Sequence, residues 1–363
     1  MIVDGKHYQS IWYEADSDSV RIIDQTRLPH EFSLVTLTTV ADAFTAIAGM
    51  QVRGAPLIGV AAAFGMYLAL RENPLQTEDA LNLLASSRPT AVNLRWALNR
   101  VKRAISGLPP DRRARAALEV AQAMAREDVE SCRLIGMHGL EVLKAIQASR
   151  ADPSAPLNIL THCNAGWLAT VDGGTALSVI YQAQAEGIPV HVWVDETRPR
   201  NQGASLTCWE LQQQQVPCTL VVDNAGGHLM QQGMVDLCLV GSDRVSTNGD
   251  VCNKIGTYLK ALAAHDNNVP FYAAMPVSTI DYGTAGGIRE IPIEQRDTAE
   301  VTSITGRDAQ GEVQCVALAP ERTRAANYGF DVTPARLVSG LITDRGVCAA
   351  ESTAIAGLRR TPV

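Results

Sequence analysis

Leu157-Asn158-Ile159-Leu160-Thr161-His162-Cys163-Asn164-Ala165-Gly166 decides the fold. A short, mostly apolar run with the character of a strand buried on both faces passes directly into polar residues and a glycine. The same pattern recurs at Pro189–Val194, Cys218–Val222, Leu237–Val240 and Phe271–Ala274. Helical stretches are predicted between these runs, over Ala169–Ala185, Gly203–Gln214, Gly227–Gly233 and Val251–His265. Such spacing leaves room only for right-handed crossovers, so a parallel, doubly wound, Rossmann-like α/β sheet follows. No Gly-x-Gly-x-x-Gly follows the first strand, and a dinucleotide site is not indicated.

Upstream of residue 150 the apolar period is helical. Helices are predicted over Ala41–Met50, Ala55–Leu70, Thr77–Ser87, Thr90–Ile105 and Asp111–Ala148, broken at Glu72-Asn73-Pro74, Arg88-Pro89 and Gly107–Pro110. Before them, the short β-branched segments Ser19–Asp24 and Phe32–Leu37 predict a small antiparallel sheet. The chain thus divides into a mainly helical domain with a small N-terminal sheet, residues 1–150, and a Rossmann-like domain, residues 151–363.

Composition narrows the function. The 363 residues are 46% hydrophobic and 19% charged, which excludes a disordered chain. The net charge, 31 − 38 = −7, comes with no basic block, which argues against nucleic acid or an anionic membrane surface as the main partner. The longest apolar run, Leu57–Leu70, contains Gly59 and Gly65 and is shorter than the ~20 residues that span a bilayer. Met1–Ser10 carries charges and does not read as a signal peptide. The eight cysteines form no Cys-x-x-Cys pair and read as reduced cytoplasmic thiols. The seven histidines show no metal-binding spacing, so no metal is expected.

In an open parallel sheet, ligands bind beyond the carboxyl ends of the strands. Those ends here are Thr161-His162-Cys163-Asn164, Asp195-Glu196-Thr197-Arg198, Asp223-Asn224 and Gly241-Ser242-Asp243-Arg244. Cys163 is predicted to precede a helix starting after Gly166, whose partial positive charge would make the thiol a better acid. Asp243, in a dry pocket, would hold a proton at neutral pH, and the two would form an acid/base pair. Taken alone, Asp243 could equally be a helix-capping turn residue. Phosphate-binding candidates are Arg53-Gly54-Ala55-Pro56 at a helix start, Gln202-Gly203-Ala204, Arg88, and Asn253-Lys254 at the predicted start of the helix after Asp243.

At these segments the sequence resembles the methylthioribose-1-phosphate isomerases of methionine salvage. The resemblance rests on Arg53-Gly-Ala-Pro-Leu-Ile-Gly, Arg88-Pro-Thr-Ala-Val-Asn-Leu, Thr161-His-Cys-Asn-Ala-Gly, Asp195-Glu-Thr-Arg-Pro, Gln202-Gly-Ala, Gly241-Ser-Asp-Arg-Val, Asn248-Gly-Asp-Val-Cys-Asn-Lys-Ile-Gly-Thr-Tyr and Phe330-Asp-Val-Thr-Pro. It runs in order over essentially the whole chain. It implies a cytoplasmic homodimer that isomerises 5-methylthioribose 1-phosphate, an aldose, to the ketose 5-methylthioribulose 1-phosphate without a cofactor. By motif matching it places the catalytic cysteine at Cys163 and the proton-donating aspartate at Asp243. Substrate contacts fall on Arg53, Gly54, Ala55, Arg88, Gln202, Asn253 and Lys254. Two stretches depart from the family pattern, Trp167–Gly174, which includes Asp172, and Ser205 in place of an arginine; both bear on the 5-substituent. The rival readings are a sister isomerase acting on 5-deoxyribose 1-phosphate or ribose 1,5-bisphosphate, and a non-catalytic regulatory subunit like those of the translation initiation factor 2B exchange complex.

Overall fold

In the computed structural model, which describes residues 1–88 and 91–359, Leu157–Thr161 is a central strand of a seven-stranded sheet. Across the sheet the strands lie in the order Gly346–Cys348, Gly340–Thr343, Phe271–Ala274, Leu237–Val240, Leu157–Thr161, Val190–Asp195 and Cys218–Val221. All pair in parallel except the edge strand Gly346–Cys348. Counted along the chain, the parallel strands stand in the 3-2-1-4-5-6 order of a doubly wound sheet. The order reverses between Leu157–Thr161 and Leu237–Val240, and a crevice opens beyond the carboxyl ends of these two strands.

Side chains of Leu157–Thr161 alternate between two buried layers. Ile159 packs with Val192, Val194, Leu177 and Ile180 on one face, and Leu160 packs with Cys238, Val240, Leu229 and Ala264 on the other. Coverage of both faces accounts for the apolar runs of the inner strands, whereas the edge strand Cys218–Val221, expected to be buried on both faces, leaves Thr219 and Leu220 exposed.

The small sheet near the N-terminus has three antiparallel strands, Ile11–Glu14, Ser19–Ile23 and Leu34–Leu37. The helices α1 (Val40–Ala48), α2 (Ala55–Glu72), α3 (Thr77–Ser87), α4 (Val92–Ile105) and α5 (Pro110–Ser149) follow. Pro89, Thr90 and Arg360–Val363 lie outside the described residues, as does the predicted start of α4 at Thr90. By length and composition α2 could cross a membrane, but here Leu57–Leu70 is buried among α1, α3, α4 and α5. The 40-residue α5, about 60 Å long at 1.5 Å per residue, takes part in both cores. Ala117, Ala121 and Met124 face the helical core, while Ile135, Leu140 and Leu143 face the large sheet.

Three predicted helices are corrected. The stretch Ala169–Ala185 is helical only as α6, Ala176–Ala185, because Gly173 and Gly174 adopt positive φ and break the chain before it. Gly203–Gln214 starts as a π-helical turn, Gly203–Thr207, and continues as α7, Cys208–Gln213. The largest error is Val251–His265. Val251–Lys254 is a fully buried strand, antiparallel to both Arg244–Ser246 and Phe330–Thr333, and the helix starts after Gly256 at φ 103°. Asn253-Lys254 is therefore not a helix start. The β-prone Val251-Cys252 pairs across the tight turn at Gly249, and this small sheet lies beside the crevice. Further helices of this half are α8, Ala225–Gln231, α9, Thr257–Asp266, and the short α10, Gly287–Glu290, α11, Ala299–Thr302, and α12, Ser352–Gly357.

Candidate active site

One pocket occupies the crevice where the strand order reverses. His162, Cys163, Asn164 and Ala165 line it from one strand end, and Gly241, Ser242, Asp243 and Arg244 from the other. The residues to which the resemblance assigns a role all line this pocket: Arg53, Gly54, Ala55, Arg88, Cys163, Gln202, Asp243, Asn253 and Lys254. The helical half supplies the first four, with α2 starting at the pocket wall. Gly54 sits at φ 91°, and a Cβ there would come within 2.4 Å of the Ala169 carbonyl oxygen, so this approach requires glycine.

Cys163 adopts φ 70°, a left-handed conformation that is costly for a residue with a Cβ. Its N–H donates to Thr197 Oγ1 at 2.8 Å, its carbonyl accepts from Thr207 Oγ1 at 2.7 Å, and its thiol donates to Gln202 Oε1 at 3.1 Å. The predicted helix-terminus effect is absent: the chain after Gly166 makes a single 3-10 turn, Trp167–Ala169. Burial pushes the Cys163 thiol up, Lys254 and Arg53 pull it down, and Asp243 adds to the rise. The net direction is upward, so at neutral pH the group is a thiol and not the better acid the sequence suggested.

Asp243 lines the same pocket from the neighbouring strand end. Burial raises its pKa above the ordinary carboxyl range, against the opposing pull of Lys254, Arg88 and Arg53, with Glu294 adding to the rise. Its backbone N–H donates to the Cys252 carbonyl at 3.0 Å, which sets it against the strand carrying Lys254.

The cations are placed to receive an anion. Arg53 is 4% exposed; one guanidinium nitrogen donates to the Asn164 carbonyl at 2.9 Å, and its Nε and Nη2 are buried without partners. Arg88 is bound to Glu294 at 3.1 Å, and its buried Nε is unpartnered. Lys254 is 7% exposed with its Nζ 4.7 Å from the centre of the Phe330 ring, and burial lowers its pKa. Met50, Ile58, Val92, Pro276, Ile291, Pro292 and Phe330 form an apolar wall.

Of the two departures, the first reaches the pocket through Ala169 and Thr170. Trp167 is fully buried against Trp209, and Asp172 binds the N-terminal ammonium at 2.7 Å and His7 at 2.9 Å; neither lines the pocket. Ser205 donates to the Asn201 carbonyl and lines an adjoining cavity that shares Met50, Arg53 and Gln202 with the pocket. Of the strand ends, Asp223 turns its carboxylate to the N–H groups of Thr197 and Arg198, at 2.7 and 2.8 Å, and does not line the pocket.

Sequence reasoning missed Glu210. On α7 and fully buried, its carboxylate accepts from Asn164 Nδ2, the N–H groups of Trp167 and Leu168, and the Tyr181 hydroxyl, at 2.9–3.1 Å. It ties down the loop after Cys163, and Gly166 is needed beside it because a Cβ there would lie 1.8 Å from Glu210 Oε2. The available signal was a lone acid between Trp209 and Leu211.

Residues 51–350 match the model of the initiation factor 2 subunit family. A methylthioribose-1-phosphate isomerase of Methylocella silvestris is 57% identical over 365 residues, covering 100% of both chains. Among solved structures, a 5-methylthioribose 1-phosphate isomerase of Pyrococcus horikoshii aligns with TM-score 0.82 and 39% identity over 97% of this chain and 96% of that one. A structure from A. fulgidus described as translation initiation factor eIF-2B subunit delta aligns with TM-score 0.78 and 37% identity over 94% and 96%.

Proposed function

The chain belongs to the initiation factor 2 subunit family and, within it, to the methylthioribose-1-phosphate isomerases of methionine salvage; we propose that its pocket converts the aldose phosphate to the ketose phosphate through Cys163 and Asp243. The observation that carries this reading is the pairing at the point of strand-order reversal. The half-buried Cys163 and an Asp243 carboxyl of raised pKa face one cavity with Arg53, whose guanidinium has two unpartnered nitrogens.

The substrate's phosphate sits on the anomeric oxygen, so the ring cannot open by loss of an anomeric hydroxyl proton. The bond from C1 to the ring oxygen breaks as that oxygen takes a proton, the hydrogen on C2 moves to C1, and the C2 hydroxyl gives up its proton. One proton is gained and one lost, and hydrogen moves within a single molecule, so the reaction needs no outside oxidant or reductant. Asp243, whose pKa burial raises, is the group suited to give and take the proton. The neutral Cys163 thiol, aimed by Gln202, acts at the C1–C2 region. Arg53, the start of α2 at Gly54 and Ala55, Arg88, Asn253 and Lys254 hold the phosphate and hydroxyls.

The apolar wall of Met50, Ile291, Pro292 and Phe330 favours a methylthio group over a second phosphate, which would require further cations. The resemblance to an initiation-factor subunit raises the non-catalytic alternative, and the joint presence of Cys163 and Asp243 in the pocket favours the enzyme. A cytoplasmic homodimer completes the proposal. Purified protein assayed with 5-methylthioribose 1-phosphate, 5-deoxyribose 1-phosphate and ribose 1,5-bisphosphate tests the reading. The highest kcat/KM for the methylthio sugar supports it, and no turnover of any of the three refutes it.

A further inference from the structure

Behind the pocket, His162, Asp195 and Lys260 are shut away from solvent, none more than 4% exposed. His162 Nδ1 lies 2.8 Å from Asp195 Oδ2, and its Nε2 lies 2.7 Å from the carbonyl oxygen of Ile255. Lys260 Nζ reaches the same Asp195 oxygen at 3.1 Å and also donates to the Asp223 carbonyl. Ligand atoms of His162, Asp195 and Asp223 lie within 4.8 Å of one another, a spacing suited to a cation, but the Lys260 ammonium supplies the positive charge there. The imidazole rests over Gly256, where a Cβ would be 2.9 Å from the ring.

The chain positions give this cluster its meaning. His162 immediately precedes Cys163, and Ile255 immediately follows Lys254. Lys254 sits in a strand paired on both sides, so the Ile255 carbonyl is a firm reference point. Cys163 is the opposite case, held at φ 70° beside Thr197 at φ 65°. Backbone of this kind is strained and persists only where its surroundings over-determine it. Thr197 and Thr207 restrain Cys163 from its own peptide groups, and His162 restrains it from the preceding residue.

We propose that His162 is a positioning residue for the reaction: by bridging Asp195 and the Ile255 carbonyl, it holds the Cys163 thiol at its working place opposite Asp243. The inference rests on the catalytic reading of Cys163. Without the bridge, the left-handed Cys163 relaxes toward ordinary strand geometry and the thiol shifts, and a misplacement of about 1 Å costs up to roughly 10²-fold in rate. Lys254 is carried by a strand paired on both sides and Arg53 by the segment leading into α2, with Arg53 touching the loop after Cys163 through its bond to the Asn164 carbonyl, so the loss falls mainly on kcat.

The test uses full-length His162→Asn, which can still reach Asp195, and His162→Gln, which can still reach Ile255. Kinetics, thermal melting and alkylation of Cys163 are followed together. Both variants should fold, lose at least on the order of tenfold in kcat with KM within about threefold, and expose Cys163 to faster alkylation. Wild-type kcat in both variants, a rise in KM matching the loss in kcat, or failure of both to fold overturns the proposal, the last because it makes His162 purely structural. Cys163→Ser separates the two levels. If it turns over normally, the reading of Cys163 fails. If it is inactive while the His162 variants are unimpaired, only the positioning role fails.

Discussion

The Cys163 thiol donates to Gln202 Oε1 at 3.1 Å, which aims the sulfur into the pocket and favours its protonated form. Burial pushes the same way. Alkylation of Cys163 should therefore be slow at neutral pH, well behind the exposed Cys315, and should accelerate only above the ordinary cysteine range of about 8.5. Mass spectrometry of partially alkylated protein across a pH series measures this. Bound substrate should protect Cys163, and labelling of Cys163 ahead of Cys315 at neutral pH would contradict the geometry.

Arg53 brings two unpartnered buried nitrogens to the pocket, so an arriving phosphate makes charge-assisted hydrogen bonds at once. Arg53→Ala should raise KM by roughly tenfold or more. Arg53→Lys should recover little of it, because an ammonium lacks the planar fork. An unchanged KM in a folded Arg53→Ala protein would remove the phosphate from this end of the pocket.

Glu210 satisfies four donors around the loop after Cys163. Glu210→Gln turns an amide NH₂ toward some of them and should cost about 1–3 kcal/mol of stability, read from urea unfolding. A variant as stable as the parent would mean that the loop is held by other contacts.

Asp128, half-buried on α5, accepts the Val171 N–H at 2.7 Å. Burial pushes its pKa up to about 7, with the charge of Asp172 adding to the rise. An unfolded aspartate ionises near 4, so the unfolded chain releases this proton first as pH rises. The group therefore costs the fold stability progressively from about pH 4 to 7 and fully above that. Asp128→Asn keeps an acceptor for Val171 and should melt higher than wild type at pH 8, with the difference shrinking toward pH 4. A lower melting temperature at pH 8 would reverse the sign of this account.

Much of the fold was legible because burial on both faces leaves uninterrupted apolar runs such as Leu237–Val240, and the site was legible because polar residues end those runs. Local pattern failed where tertiary pairing decided. Val251–Lys254 carries helix-compatible spacing, but pairing on both sides makes it a strand and turns Lys254 inward. The state of Cys163 is not legible in sequence, because a glycine-led 3-10 turn looks like a helix terminus there while desolvation dominates. Glu210 and the His162–Asp195 contact lie far apart in sequence from what they hold, and spacing along one chain carries little record of such pairs.

The account stands most directly on Asp243. Asp243→Asn keeps the shape of the side chain and removes the proton. The measurement is single-turnover and steady-state conversion of 5-methylthioribose 1-phosphate by this variant, alongside substrate binding by calorimetry and folding by thermal melting. The account predicts a folded protein that binds substrate and has lost at least about 10² in kcat, the lower range of general acid–base catalysis. Turnover within a few-fold of wild type would contradict it.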